Sequence, residues 1–224
     1  MNEAQTTTPV APTDTRAELD GSRIEYTDIP LSPADLGVAH NRVLRKEQIA
    51  DLPSARRGTL LSLCYDLFVG HWSQVVFGPC IQGAVFELQS NAEPTQFSYL
   101  DGYLTVGLEP RPSHMHLCIG PHQGLKGETP HELSRVRQCA RAAFSRTLDE
   151  SGSPHTWALE LWNGKGEQMI TFFLPSPFLD LAREKHLREP EWSHLTLWNA
   201  LRARYLGEQT PQPLPLVQSR GTCA

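Results

Sequence analysis

His155-Thr156-Trp157-Ala158-Leu159-Glu160-Leu161-Trp162-Asn163-Gly164-Lys165-Gly166-Glu167-Gln168-Met169-Ile170-Thr171-Phe172-Phe173-Leu174 is the stretch that decides the fold. Two apolar and aromatic runs flank Asn163-Gly164-Lys165-Gly166, and an Asn/Gly cluster between such runs is a strong short-range signal for a β-hairpin. Side chains alternate between the faces of a strand. Trp157, Leu159 and Leu161 therefore share one face, while Thr156, Ala158, Glu160 and Trp162 share the other. Antiparallel sheet is the expected framework.

Working outward, 72–77 and 81–88 read as strands separated by Gly78-Pro79-Cys80, and 97–108 reads as strand around the turn signal Asp101-Gly102. Helices are predicted elsewhere. Residues 54–69 carry an apolar band of Leu60, Leu61, Leu63, Cys64, Leu67 and Phe68, and 39–52 is helix-compatible but weakly patterned. From Thr129 or Pro130 to Asp149, the spacing of Leu133, Val136, Ala140, Phe144 and Leu148 predicts another. Ser176 and Pro177 suit a helix start, with Phe178, Leu179, Leu181 and Ala182 supplying its packing, and a final helix is expected over 192–206. Helices flanking a mostly antiparallel sheet make a single α+β domain over 23–208. Residues 1–22 are predicted to be a disordered arm and 209–224 a disordered, Pro-rich tail, because neither has enough large apolar side chains to offset the entropy of ordering.

Composition narrows the function classes. The chain has 224 residues, 39% hydrophobic and 20% charged, with a net charge of -5, which suits one substantial core. A pI near 6.0 without a concentrated basic run argues against nucleic acid as a partner. No apolar run reaches the roughly 18 residues that span a bilayer, so no membrane partner is expected. The five cysteines, Cys64, Cys80, Cys118, Cys139 and Cys223, are odd in number and irregularly spaced; with no export signal they predict reduced thiols in the cytoplasm. Composition carries no signal for oligomeric state.

The densest chemistry lies in Ser113-His114-Met115-His116-Leu117-Cys118-Ile119-Gly120, with His122 just beyond. Read as a strand, it puts His114, His116 and Cys118 on one face and Met115, Leu117 and Ile119 on the core face. Imidazole and thiolate are good transition-metal ligands. Positions two apart on a strand are separated by roughly 6.5 Å, close enough to share an ion, whereas positions four apart are not. The predicted metal ligands are therefore His114, His116 and Cys118 taken as neighbouring pairs, completed by a carboxylate from another strand.

Glu160, between small and aromatic neighbours, is the preferred outside carboxylate and proton-transfer group, with Glu167 next; Glu87 and His155 are alternatives. His122 is the third catalytic candidate. Arg137, Tyr103 and Trp162 are the candidate substrate-binding residues, a guanidinium being suited to a carboxylate and the rings to an aromatic pocket. Core packing, solvated helix faces and ordinary surface carboxylates are the structural readings that compete with each of these.

Two histidines plus one more donor leave open positions on a divalent transition metal, Fe or Zn with Cu as a third option. The expectation is a metal-dependent enzyme acting on a small-molecule substrate, either a non-haem iron oxidoreductase or a zinc-type hydrolase or lyase. The alternatives are a non-enzymatic metal-binding or regulatory module, and a metal-free two-histidine phosphoesterase using His116 and His155. The His-x-His pair is similar to that of cupin-type metal proteins, but the first acid after Cys118 is Glu128, beyond that motif's short spacing. No family is identified from it.

Overall fold

The larger sheet is built around the hairpin read from the sequence, with β11 at Pro154–Asn163 and β12 at Gln168–Phe173. Its turn is held by the Asn163 side chain, whose Oδ1 accepts from the amides of Lys165 (2.9 Å) and Glu167 (3.0 Å). Gly166 supplies a positive φ of 79° there, where a Cβ would be strained. The computed structural model describes residues 23–37, 40–81, 84–109, 113–124, 130–180 and 185–208. The predicted arm at 1–22 and tail at 209–224 lie outside the described residues, as does Cys223.

In chain order, β1 is Arg23–Asp28 and β2 is Leu44–Arg45; the helices α1 (Lys46–Ala50) and α2 (Ser54–Tyr65) follow. The chain continues through a π-helical turn (Asp66–Gly70) and a 3-10 turn (Trp72–Gln74) into β3 (Val76–Gly78), β4 (Cys80–Ile81), β5 (Ala84–Val85) and β6 (Leu88–Gln89). Next come β7 (Gln96–Leu100), β8 (Tyr103–Gly107), β9 (His114–Cys118), α3 (His131–Arg137) and β10 (Cys139–Leu148). After β11 and β12, two short strands, β13 (Leu179–Asp180) and β14 (Lys185–His186), precede a 3-10 turn (Trp192–Leu195) and α4 (Thr196–Leu206).

The six-stranded sheet has the order β1-β10-β11-β12-β3-β6, and a four-stranded sheet has the order β2-β7-β8-β9. Every ladder is antiparallel, including the small β4-β5 and β13-β14 pairs. This is the predicted α+β domain, with its strands divided between two main sheets. No helix among the described residues is long and apolar enough to cross a membrane.

One continuous core joins the two sheets to α2 and α4. Leu159, Leu161, Ile170 and Phe172 come from the large sheet, Phe97, Leu104, Val106 and Leu117 from the small one. Aromatic edges fix the joints: Phe68 meets Phe77 at 5.1 Å and Phe172 at 5.3 Å, Tyr65 meets Phe97 at 5.5 Å, and Phe144 meets Trp198 at 5.2 Å. Edge-to-face geometry suits the ring quadrupoles. Near the start of α2, Gly58 departs from helical geometry, at φ 67° and ψ 176°.

Two predicted helices are strands or largely so. The helix expected from 129 or 130 to 149 is confined to α3, and its second half is the ten-residue β10. Both neighbours of β10 are strands, β1 and β11, and its centre, Ala142 to Ser145, is buried on both faces. Alternation is thus erased, and sheet pairing overrides the helix preference of Ala and Arg. The helix expected after Pro177 is instead β13, whose Leu179 pairs with His186 of β14; Leu181 and Ala182 lie outside the described residues.

Candidate functional site

The strand β9 forms as predicted and is an edge of the four-stranded sheet, its described neighbour being β8. Tyr103, Thr105 and Gly107 of β8 stand opposite Cys118, His116 and His114 respectively. The face shared by the two imidazoles is therefore the outer face of that sheet. The His114 and His116 rings meet edge to face at 4.9 Å, and His116 Nδ1 hydrogen-bonds with Thr105 Oγ1 at 2.8 Å.

The predicted metal centre does not assemble. Among the described residues there is no group of three or more His, Cys, Asp or Glu side chains placed to hold an ion. Cys118 is buried at the far end of β9, its Sγ donating to the Gly120 carbonyl at 3.6 Å. Glu160 belongs to the other sheet, only 2% exposed, and accepts from Ser145 Oγ at 2.7 Å and from the Gln168 side-chain amide. Glu167 is an exposed turn residue bonded to Asn163 Nδ2 at 2.9 Å. The sequence reading paired donors by their exposure on single strands, and the two-sheet topology separates them. A mononuclear metalloenzyme, whether iron oxidoreductase or zinc hydrolase or lyase, and the protein-caged metal module are accordingly corrected. The two-histidine phosphoesterase falls as well, since His116 and His155 sit on strands of different sheets.

The structure does bring four of the candidates together elsewhere, where the second end of β8-β9 meets α3. Tyr103 stands close enough to the Arg137 guanidinium and the Cys118 thiol for each to act on its phenol, whose pKa is raised chiefly by burial. His122 lies against Tyr103 with ring centroids 5.1 Å apart and is pinned through its backbone, its carbonyl accepting from Ser134 Oγ at 2.8 Å. Its Nε2 is buried with no hydrogen-bond partner among the described residues. Burial pushes the Cys118 thiol up to about 11 and that of Cys139 up to about 12, and raises Cys64 further. Such thiols stay protonated at neutral pH and are poor nucleophiles. A thiol reagent such as DTNB at pH 8 is therefore expected to leave Cys64, Cys118 and Cys139 unlabelled until the protein is unfolded; rapid native labelling of Cys118, read by mass spectrometry, would contradict this. Trp162, the remaining substrate-binding candidate, is a buried packing residue: it meets Tyr26 at 5.5 Å, with the Arg141 guanidinium 4.3 Å above its ring.

A partly enclosed, mostly apolar pocket lies at the opposite end of β9. A cavity of about 400 Å³ is walled by Phe77, Gly78, Pro79, Phe86, Leu88, Leu108, Met115 and Ile170, with His114, Ser113, Glu109, Gln89 and Ser90 as its polar members. Its size falls within the usual range for small-molecule sites, about 300–1,000 Å³, and apolar walls with a few polar groups are their usual lining. A second hollow, between α3 and Gly164, has about 450 Å³ but is more open and more polar, lined by Glu132, Arg135, Gln138 and Cys139 among others. Of the pocket residues, the sequence reading singled out only His114. The strand pattern places Met115 on the core face and Phe86 and Leu88 in an ordinary strand, and the only signal they carry is the run 81–88.

Comparisons with known proteins come from two directions. No curated protein matches the chain. Among solved structures, the crystal structure of ChuX aligns with 14% identity and a TM-score of 0.42, over 75% of this chain and 78% of that one. The crystal structure of an Erwinia carotovora protein aligns with 18% identity and a TM-score of 0.40, over 73% and 83%. At those scores the likeness decides nothing about function. A family model described as a family of unknown function (DUF7676) matches residues 38–207, most of the chain, and the protein belongs to that family.

Proposed function

We propose that the chain binds a flat, largely apolar small molecule in the pocket between β3 and the start of β9, and that an iron porphyrin such as haem is the ligand that uses its features most fully. The observation that carries this reading is the combination of apolar walls with the His114 imidazole on one cavity of about 400 Å³. A bare ion needs three or four protein donors, and no such group is gathered among the described residues. Iron held in a macrocycle already has four nitrogens and asks the protein for an axial ligand, commonly a histidine, together with an apolar enclosure. His114 would hold the iron, and Phe77, Leu108, Met115 and Ile170 would pack against the ring. What such a group supplies when bound is the porphyrin's own chemistry; the chain's part is to enclose it and limit water.

The small-molecule partner and the cytoplasmic setting expected from the sequence belong to the same proposal. Cys64, Cys118 and Cys139 are free thiols, which supports a reducing compartment.

The test is a haemin titration followed by absorbance, with iron-free protoporphyrin as comparison. Wild type is expected to bind haemin one to one with a shifted Soret band. His114→Ala is expected to lose that shift and about tenfold in affinity, the loss corresponding to roughly 1.4 kcal/mol, while still taking up the iron-free ring. Failure of wild type to bind in a defined ratio, or an unchanged spectrum in His114→Ala, refutes the reading.

A further inference from the structure

Phe86 combines two properties that rarely occur together. It is 59% exposed, yet it forms part of the pocket wall. Leu88, also in that wall, is 36% exposed, and Val85 beside them is 59% exposed. Large apolar side chains left in water within a run of a few residues mark a surface that something covers.

The attachment of this run is slight. Residues 84–90 are joined to the body by two-residue ladders, β5 to β4 and β6 to β3. The Phe86 amide donates to the Pro79 carbonyl at 3.1 Å, and the Gln89 side-chain amide to the Ser73 carbonyl at 3.3 Å. Segments with short ladders and few buried apolar contacts open locally at low free-energy cost. At its root the backbone crosses itself closely: a Cβ on Gly78 would fall 1.6 Å from the Phe86 carbonyl oxygen. The missing side chain lets the run lie against β3 with Phe86 over the pocket mouth.

We infer that residues 84–90 form a strap that closes on the molecule bound in this pocket, with Phe86 becoming the wall that faces it. The inference rests on the pocket reading above and adds to it how the occupant is covered. An aromatic ring on a mobile strap suits a flat occupant, since the two can stack over an extended area. Closure removes Phe86 and Leu88 from water at the same moment as it buries the ligand, so ligand burial and strap ordering favour each other. The strap is then disordered in exchange terms when the pocket is empty and ordered when it is filled.

Hydrogen exchange of the full chain, with and without saturating haemin, tests this alongside Phe86→Ala and Phe86→Leu. Amide exchange over 84–90 is expected to slow at least tenfold on haemin binding. Phe86→Ala is expected to weaken haemin binding about tenfold or more, from the apolar area a phenylalanine buries, with Phe86→Leu recovering part of it. Because the side chain is exposed in the free protein, the melting temperature of both variants should stay at the wild-type value. Haemin bound in a defined ratio with unchanged exchange over 84–90, or with full affinity in Phe86→Ala, overturns the strap and leaves the pocket standing. No haemin binding to wild type overturns both. Protection of 84–90 that rises with protein concentration in the absence of haemin would show a second copy as the cover, and would also overturn the strap.

Discussion

Gly58→Ala is expected to lower the stability of the protein by about 3–5 kcal/mol, summing a strained backbone and an overpacked contact. Gly58 holds φ at 67° and ψ at 176° near the start of α2, a region that side-chain-bearing residues scarcely enter. A Cβ there would also stand 2.6 Å from the Ala34 amide nitrogen and 2.7 Å from the Ser32 carbonyl oxygen. These are backbone atoms, so no rotamer change relieves the clash. The crossing is fastened by Thr59, whose amide donates to the Ser32 carbonyl at 3.1 Å and whose hydroxyl donates to the Pro30 carbonyl at 3.0 Å. The substitution therefore separates the 30–35 segment from α2 or bends the helix that carries Leu60, Leu61 and Leu63 into the core. Urea denaturation measures the loss; a change below 1 kcal/mol would show that the crossing adapts and that this account of it is wrong.

Glu160→Ala is the second large effect, expected at roughly 2–4 kcal/mol because it strands two buried donors, each left unsatisfied at a cost of about 1–3 kcal/mol. The carboxylate is 2% exposed and accepts from the Ser145 hydroxyl and the Gln168 amide, from strands on either side of β11. It ties β10, β11 and β12 together across one face of the large sheet. Glu160→Gln preserves the shape and one acceptor oxygen, so it should lose markedly less. Haemin binding by the Gln variant should equal wild type, because Glu160 is not part of the pocket wall. Equal losses in Ala and Gln, measured by thermal melting, would show that the acceptor geometry does not hold the strands and would overturn this account.

Much of the architecture was readable from local signals. Asp101 and Gly102 occupy the positive-φ positions, 46° and 81°, that a tight hairpin turn demands, and Asn163-Gly164-Lys165-Gly166 closes the other hairpin. The apolar band predicted over 54–69 is buried at Leu60, Leu61, Leu63, Cys64, Leu67 and Phe68, running from α2 into the π-helical turn. What escaped was decided by pairing between distant segments. β10 reads as a helix because Ala140, Phe144 and Leu148 happen to fall at helical spacing, and only the arrival of β1 and β11 on its two edges makes it a strand. The site followed the same logic. His114 was legible as chemistry, but its setting was not, since Phe77, Leu88, Leu108 and Ile170 reach it from four separate parts of the chain. Tyr103, Cys118, His122 and Arg137 were each selected for separate roles, and no spacing rule foretold that they would meet.

The strand order of the large sheet also bears on how the molecule is made. Arg23 pairs with Leu148, and Gly78 with Thr171, so β1 and β3 both wait on partners translated long after them. The meanders β7-β8-β9 and β10-β11-β12 pair between near neighbours and can zip early, since short loops close at little entropic expense. A nascent chain therefore carries β1 without its partner until Leu148 has been made, and β3 with only the two-residue β6 ladder until Phe173 has, and that interval is when its sheet edges are open to the wrong partner.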